Sequence, residues 1–181
     1  MIKPSNPQTL KEDLSKYAQK CRTMLHSQGV IDQVAAMLKG PDPVQKVATV
    51  GVMIAQRMDA AIREAGEEVQ DSIKVAAGYE IIGDIADILA ASGGADLNKD
   101  LRYLAYSVSV QDYIKAEIKN GHINAQELKV SMARDIRSLP PKYQKDIAIA
   151  PARIQALSRK YNHGKGLASF PPDGGSNVNA G

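Results

Sequence analysis

The sequence predicts an all-α protein, a bundle of about four to six helices followed by an extended, non-helical C-terminal tail. Apolar residues recur at intervals of three and four along most of the 181 residues, as they do on one face of an α-helix. No period-two alternation is longer than SVSV, which lies inside one of these helical patterns. Residues that favour helix ends separate the patterns, so we expect helices rather than strands to form the core.

The first helices are expected within residues 1–39. Thr9 and Glu12 have the spacing of a capping box, in which each side chain satisfies a free backbone N–H of the first turn. Gly29 breaks the pattern, and a short amphipathic segment, VIDQVAAMLK, then runs to Gly40. One apolar stripe marks the first helix: Leu10, Leu14, Tyr17, Cys21 and Met24.

A helical hairpin is predicted for residues 42–91. Asp42 is a favourable N-cap, and Pro43 suits the first helical position because its missing N–H would be unpaired there anyway. A heptad-like seam with small residues follows, suited to close packing against another helix: Val44, Val47, Gly51, Ile54, Met58, Ala61 and Ala65. Beyond Gly66, the apolar face of the next helix consists of Ile73, Ala76, Ile81, Ile85 and Ile88.

Residues 96–162 are predicted to form the C-terminal helices and to complete a helical domain over residues 1–162. Asn124 and Glu127 form a second capping box, and the helix that they start ends before Pro140. Two shorter helical pieces are expected on either side of Pro151. The helix before Asn124 has an apolar face formed by Leu97, Leu101, Leu104, Val108, Ile114 and Ile118.

Residues 163–181 form a Gly-, Pro- and Asn-rich arm. Its composition buries too little apolar surface to offset the entropy of ordering it, so we expect a neighbour to hold it. Phe170, the only phenylalanine of the chain, begins a rigid apolar plug, because the two prolines after it restrict the backbone. The predicted contacts with a neighbouring subunit or partner are Leu167, Phe170, Pro171 and Pro172.

The residue pattern lacks a catalytic constellation, so we expect neither an enzyme nor a cofactor or metal. The three histidines lie in separate segments, and none belongs to a metal-ligand motif. Glu80, Asp84 and Asp87 share one helix face without the Glu-x-x-His companions of a two-metal bundle. We interpret these acids as a solvated face or as a stripe that meets a basic neighbour. Cys21 lies on an apolar stripe, where a thiol usually acts as a small core hydrophobe.

The single cysteine excludes an intrachain disulfide and favours a reduced, intracellular origin. The first residues, MIKPSNPQTLKEDL, lack the apolar run of a signal peptide, and no stretch approaches the roughly 18 apolar residues of a membrane span. We therefore expect a chain that is not secreted and has no integral membrane segment.

Charge is distributed unevenly along the chain, whose net charge is +3. Residues 59–100 contain ten acidic and three basic residues, whereas residues 134–165 contain eight basic and two acidic ones. Such a chain suits an assembly in which acidic and basic surfaces meet, or contact with an anionic partner. Nucleic-acid binding is the alternative function, and the candidate surface for DNA or an acidic partner is Arg134, Arg137, Lys142, Lys145, Arg153, Arg159, Lys160 and Lys165.

The stretch that begins at Lys39, KGPDPVQKVATVGVMIAQRMDAAIREAGEEVQDSIKVAAGYEIIGDIADILAASG, covers about a third of the chain. Its GPDPVQ motif, small-residue helix, Gly/Glu/Val turn and Ile-rich second helix resemble a segment of virion-associated proteins of short-tailed bacteriophages. The resemblance implies a structural component of the particle that is made in the host cytoplasm. It would lie near the portal and tail, or inside the capsid and be ejected with the genome. The expected partners are further copies of the chain and other portal, tail or internal proteins.

Overall fold

The computed structural model describes residues 7–69, 71–127, 130 and 141–165, and it confirms the all-α prediction. The helices are α1 (Pro7–Leu25), α2 (Val30–Met37), α3 (Pro43–Glu64), α4 (Asp71–Ala91), α5 (Lys99–Lys119) and α6 (Pro141–Lys165). Residues 125–127 and 130 are also helical, and no strand occurs within the described ranges. Residues 166–181, with the predicted contacts Leu167, Phe170, Pro171 and Pro172, lie outside these ranges, as do Arg134 and Arg137.

Side-chain caps fix the starts of the long helices. The Asp42 carboxylate accepts a hydrogen bond of 3.1 Å from the backbone N–H of Gln45, which confirms the predicted N-cap of α3. Asn98 caps α5 in the same way through the N–H of Leu101, at 3.0 Å. Asp42 has a φ of 62°, a left-handed conformation that aspartate tolerates better than most residues.

The chain divides into two compact units, one ending at Arg134 and the other beginning at Asp135. In the first unit α3 packs against α5, α4 and α1, while α4 also packs against α1 and α5. The short helix α2 contacts α1 and α3. α3 is therefore the central helix of this unit, and its seam determines how closely the other helices approach.

The first five seam residues of α3 are all buried: Val44, Val47, Gly51, Ile54 and Met58. Past Met58 the predicted seam is wrong, because Ala61 and Ala65 are exposed and Ile62 is buried instead. A strict 3-4 repeat averages 3.5 residues per turn, whereas a straight α-helix has 3.6, so the predicted seam rotates away from the core by about 20° per heptad. In α4 a similar displacement buries Ala77 and exposes the predicted Ala76.

Gly51 lets α3 lie unusually close to its neighbours. A Cβ atom at this position would lie 2.6 Å from Cδ1 of Ile82 on α4 and 2.9 Å from Oγ of Ser109 on α5. Real Cβ atoms do not approach other atoms this closely, so any larger residue here would require the Ile82 and Ser109 side chains to move. The small residue predicted within the seam thus sits where three helices converge.

The second unit contains α6, which differs from its prediction in two ways. The sequence predicts two helical pieces around Pro151, but α6 is one helix of 25 residues with Pro151 inside it. A proline removes one backbone N–H and usually bends a helix rather than ending it when the pattern continues beyond it. The pattern does continue, because apolar residues recur at 147, 150, 154, 157 and 161. The helix also extends through Lys165, so residues 163–165 belong to α6 and not to the predicted arm.

Candidate functional site

An apolar cavity of about 90 Å³ lies inside the first unit, between α1, α3, α4 and α5. Its floor is buried and its rim is partly exposed, so the cavity opens toward solvent on the α4–α5 side. The buried floor includes Tyr17, Cys21, Gly51, Ile54, Ile81, Ile82 and Ser109. The partly exposed rim includes Lys74, Val75, Gly78, Tyr106, Val110, Tyr113, Ile114 and Ile123.

Gly78 brings an aromatic ring onto the rim. A Cβ atom at Gly78 would lie 3.3 Å from Cε2 of Tyr106, so the missing side chain lets this ring rest on α4. The Tyr106 hydroxyl donates a 3.0 Å hydrogen bond to the backbone carbonyl of Val75, which holds the ring in place. Val75 itself is 40% exposed at the mouth of the cavity.

Three tyrosines, Tyr79, Tyr103 and Tyr106, form a tyrosine cluster beside this mouth. The rings of Tyr79 and Tyr106 meet edge to face, with centroids 5.6 Å apart and an interplanar angle of 87°. The Tyr103 ring lies 6.5 Å from that of Tyr106. Burial, followed by the neighbouring Tyr103, raises the pKa of Tyr106, so its phenol stays neutral. The cluster presents an aromatic and partly wet surface, the kind found at protein interfaces.

A buried ion pair lies next to the cavity. Asp59 on α3 is only 3% exposed, and its carboxylate Oδ2 accepts a hydrogen bond from the Tyr113 hydroxyl on α5. Lys74 on α4 places Nζ 3.2 Å from Oδ1 of Asp59, close enough for an ion pair, although Oδ1 accepts no well-directed hydrogen bond. Burial and the Asp59 carboxylate raise the pKa of Tyr113 far above its ordinary value. Three helices thus meet at one buried charge.

A second buried carboxylate closes the end of α5. Oε2 of Glu117 lies 2.9 Å from Nδ1 of His122 and 3.9 Å from Nη1 of Arg63. Its backbone carbonyl accepts hydrogen bonds from the N–H groups of His122 and Ile123. These bonds turn the chain at the helix end and bring Ile123 to the rim of the cavity.

Cys21 behaves as the sequence predicts. The thiol is buried on α1, and this burial raises its pKa from 9.0 to about 11. Such a thiol is almost entirely protonated at neutral pH and is therefore a poor nucleophile. Its interpretation as a small core hydrophobe is confirmed.

The acidic stripe on α4 meets basic neighbours, which is one of the two predicted interpretations. Arg22 on α1 donates from Nε to Asp84 at 2.7 Å and from Nη2 to Glu80 at 2.9 Å. Arg102 on α5 donates to Asp87 at 2.7 Å. The stripe therefore joins α4 to helices on both sides of it.

The predicted basic surface falls largely on α6. The structure places Lys142, Lys145, Arg153, Arg159, Lys160 and Lys165 on this one helix. Arg153, Arg159 and Lys160 are exposed.

Among the described residues, no three His, Cys, Asp or Glu side chains are grouped as a metal site would need. Within the same residues, every helix is too short or too polar to cross a membrane. Comparisons with protein-family models, with curated proteins and with solved structures find no match to the chain.

Proposed function

We propose that the chain is a structural protein of a short-tailed bacteriophage particle and works as one subunit of an oligomer, near the portal and tail or inside the capsid. The assignment to a virion rests on the resemblance of the GPDPVQ segment and the helices after it. The oligomeric part rests on the tyrosine cluster and the apolar mouth beside it.

The exposed face of α4 and α5 supports an interface. Val75 and Tyr79 are each 40% exposed and adjoin Tyr103 and Tyr106, so apolar and aromatic groups face solvent together. Tyrosine is enriched at protein interfaces and among the residues that dominate binding energy, because its ring buries much area while its hydroxyl remains hydrogen-bonded. A partner that covers this face would remove it from water.

The buried polar groups support a structural role. Asp59 on α3 contacts Lys74 on α4, and Glu117 on α5 contacts Arg63 on α3, so each carboxylate joins helices that are distant in sequence. A buried charge that depends on partners from other helices can specify which helices meet, a use known from other buried polar groups. Both carboxylates thus have a structural explanation within the unit.

Quantitative mass spectrometry of purified particles tests the virion assignment. Particles from the phage that carries the gene are banded, treated with nuclease and protease, and banded again. The chain should remain at a constant ratio to the major coat protein through both steps, and particles from a gene-deleted phage supply the baseline. A ratio that falls with each step, or infectious particles without the chain, would contradict the proposal.

Nucleic-acid binding through α6 remains a second candidate, favoured by one observation. Arg153 and Lys160 are one heptad apart on α6, and both are exposed. Side chains spaced in this way lie on one side of a helix and can follow a phosphate backbone.

Salt-dependent DNA binding tests this second candidate. Replacing Arg153, Arg159 and Lys160 by Gln should make the negative slope of log affinity against log salt shallower by up to about 3. Each lost phosphate contact reduces the magnitude of this slope by about 0.9. The matched control replaces three exposed lysines of the first unit, Lys16, Lys115 and Lys119, by Gln. Equal slopes for the two triple variants, or no DNA retention at low salt, would exclude this function.

A further inference from the structure

We infer that the cavity between α1, α3, α4 and α5 receives the C-terminal arm of a second copy of the chain, with the Phe170 ring inserted and Pro171-Pro172 lying on the tyrosine cluster. The inference rests on the proposed oligomer and names the contact that would hold it together. The arm lies outside the described residues, and its sequence matches the shape and chemistry of the cavity.

The size of the cavity limits what can enter it. An apolar cavity of roughly 150 Å³ in another protein encloses benzene, so one of about 90 Å³ is too small to enclose a whole ring, and a ring that enters it must remain partly outside at the open mouth. Ile54 and Ile82 provide an apolar floor, where a charged or strongly polar group would lose its hydration without compensation. One large apolar side chain is therefore the expected guest.

The aromatic rim fits a proline-rich segment. Tyr106 and Tyr113 line the mouth, and Tyr79 extends the aromatic surface beside it. Proline-rich segments dock on aromatic-lined surfaces because their backbone is already restricted, so little conformational entropy is lost on binding. The sequence Phe170-Pro171-Pro172 combines one ring for the cavity with two prolines for its rim.

The arm carries one acidic residue close to the ring, and the cavity has one lysine at its rim. Lys74 lines the cavity and its side chain is 21% exposed. Asp173 follows Phe170 by three residues, which span about 9 Å in an extended proline-type helix. With the ring inserted, the Asp173 carboxylate can reach the edge of the cavity, where Lys74 already pairs with Asp59. The arm thus offers an apolar anchor for the floor and two prolines for the aromatic rim.

Cysteine trapping between two chains tests the source of the arm. One full-length chain carries Val75→Cys at the rim, and a second carries Ser169→Cys next to Phe170, so a 75–169 disulfide can form only between copies. In the matched control, the first chain carries Ile118→Cys instead of Val75→Cys. Ile118 is 37% exposed on α5 and does not line the cavity. We expect at least tenfold more disulfide-linked pairs with Val75→Cys than with Ile118→Cys. Equal yields would overturn the inference, as would a disulfide that forms only within a chain carrying both Val75→Cys and Ser169→Cys.

Self-association of single variants tests the role of the ring. Phe170→Ala and Val75→Glu should each weaken association of the full-length chain at least tenfold, whereas the controls Val178→Ala and Ile118→Glu should change it less than twofold. Circular dichroism establishes that helicity is unchanged in all four variants, which is expected because Val75 and Ile118 are already exposed. Association that does not respond to Phe170→Ala would overturn the inference.

The two proposals can fail separately. A chain that is present in particles but associates normally as Phe170→Ala would leave the proposed function standing and remove the arm contact. A chain that is absent from particles but associates through Phe170 would remove the proposed function and leave the arm contact standing.

Discussion

Tyr113 on α5 donates its phenol hydrogen to the buried carboxylate of Asp59 on α3, although 54 residues separate them in the sequence. Lys74 on α4 approaches the other oxygen of the same carboxylate. This contact joins three of the four helices that surround the cavity, and the stability of the first unit should depend on it.

Removing the phenol hydroxyl tests this dependence. Tyr113→Phe keeps the ring but leaves Asp59 with only the Lys74 ion pair, so we expect a loss of about 1–3 kcal/mol in the free energy of unfolding. Urea unfolding followed by circular dichroism measures the change. The control Tyr79→Phe, at a ring that is 40% exposed, should change stability by less than about 0.5 kcal/mol. Equal effects of the two variants would show that the Asp59 contact is unimportant.

Alkaline pH should destabilise the fold because a buried thiol and two tyrosine hydroxyls keep their protons to a higher pH in the folded state than in the unfolded state. The pKa of Cys21 is raised from 9.0 to about 11, so the unfolded state loses its thiol proton first. The stabilisation is therefore complete below pH 9 and is lost as the pH rises from 9 to 11, by roughly 3 kcal/mol for two pKa units. Tyr106 and Tyr113, whose pKa values are also raised by burial, add to the loss above pH 10.

Cys21→Ala distinguishes the contribution of the thiol to this pH dependence from that of the tyrosines. The variant should be less stable at pH 7, because apolar contacts are lost, but its stability should fall less steeply between pH 9 and 11. Urea midpoints at several pH values provide the comparison. A slope identical to that of the wild type would mean that the thiol does not contribute.

Two helical glycines, one with crowded and one with open surroundings, test the close approach of the helices. Gly51→Ala should destabilise the chain by about 1–3 kcal/mol, because the new methyl group overlaps Ile82 and Ser109. Gly83→Ala, also in a helix, meets only Arg102 Nη1 at 4.0 Å and should stabilise by about 0.5–1 kcal/mol through the better helix propensity of alanine. Thermal unfolding measures both. Changes of the same sign at the two sites would refute the described packing of α3.

The link between α1 and the acidic stripe of α4 should depend on salt. Arg22→Met removes contacts to both Glu80 and Asp84, and we expect a loss of about 1 kcal/mol at low ionic strength and less in 1 M NaCl. Lys20→Met, which removes one exposed pair with Glu67, is the control and should cost about 0–0.5 kcal/mol. A loss at Arg22 that does not depend on salt would mean that apolar packing of the side chain dominates.

Local patterns in the sequence predicted the helices well because caps and apolar periodicity are properties of neighbouring residues. Asp42, Gly51 and Cys21 have the roles that their patterns indicated. The error at Ala61 arose because a strict 3-4 repeat drifts around a straight helix, so the core contact shifted to Ile62. The error at Pro151 arose because the apolar pattern, and with it the helix, continued beyond the proline.

The cavity could not be predicted because it depends on how separate helices meet. Tyr113 and Lys74 are ordinary surface-type residues in the sequence, and only packing brings them to Asp59. One signal was available: Asp59 lies between Met58 and Ile62 on the stripe that is buried in α3. A charged residue at such a position needs a buried partner, and the sequence does not indicate which residue supplies it.

Light scattering on the full-length chain as it leaves a sizing column tests the central claim, assembly into an oligomer, most directly. The chain has a mass of 19.5 kDa. We predict a native mass that is a whole-number multiple of this value and that falls toward 19.5 kDa on dilution. A mass of 19.5 kDa at every concentration would contradict the account.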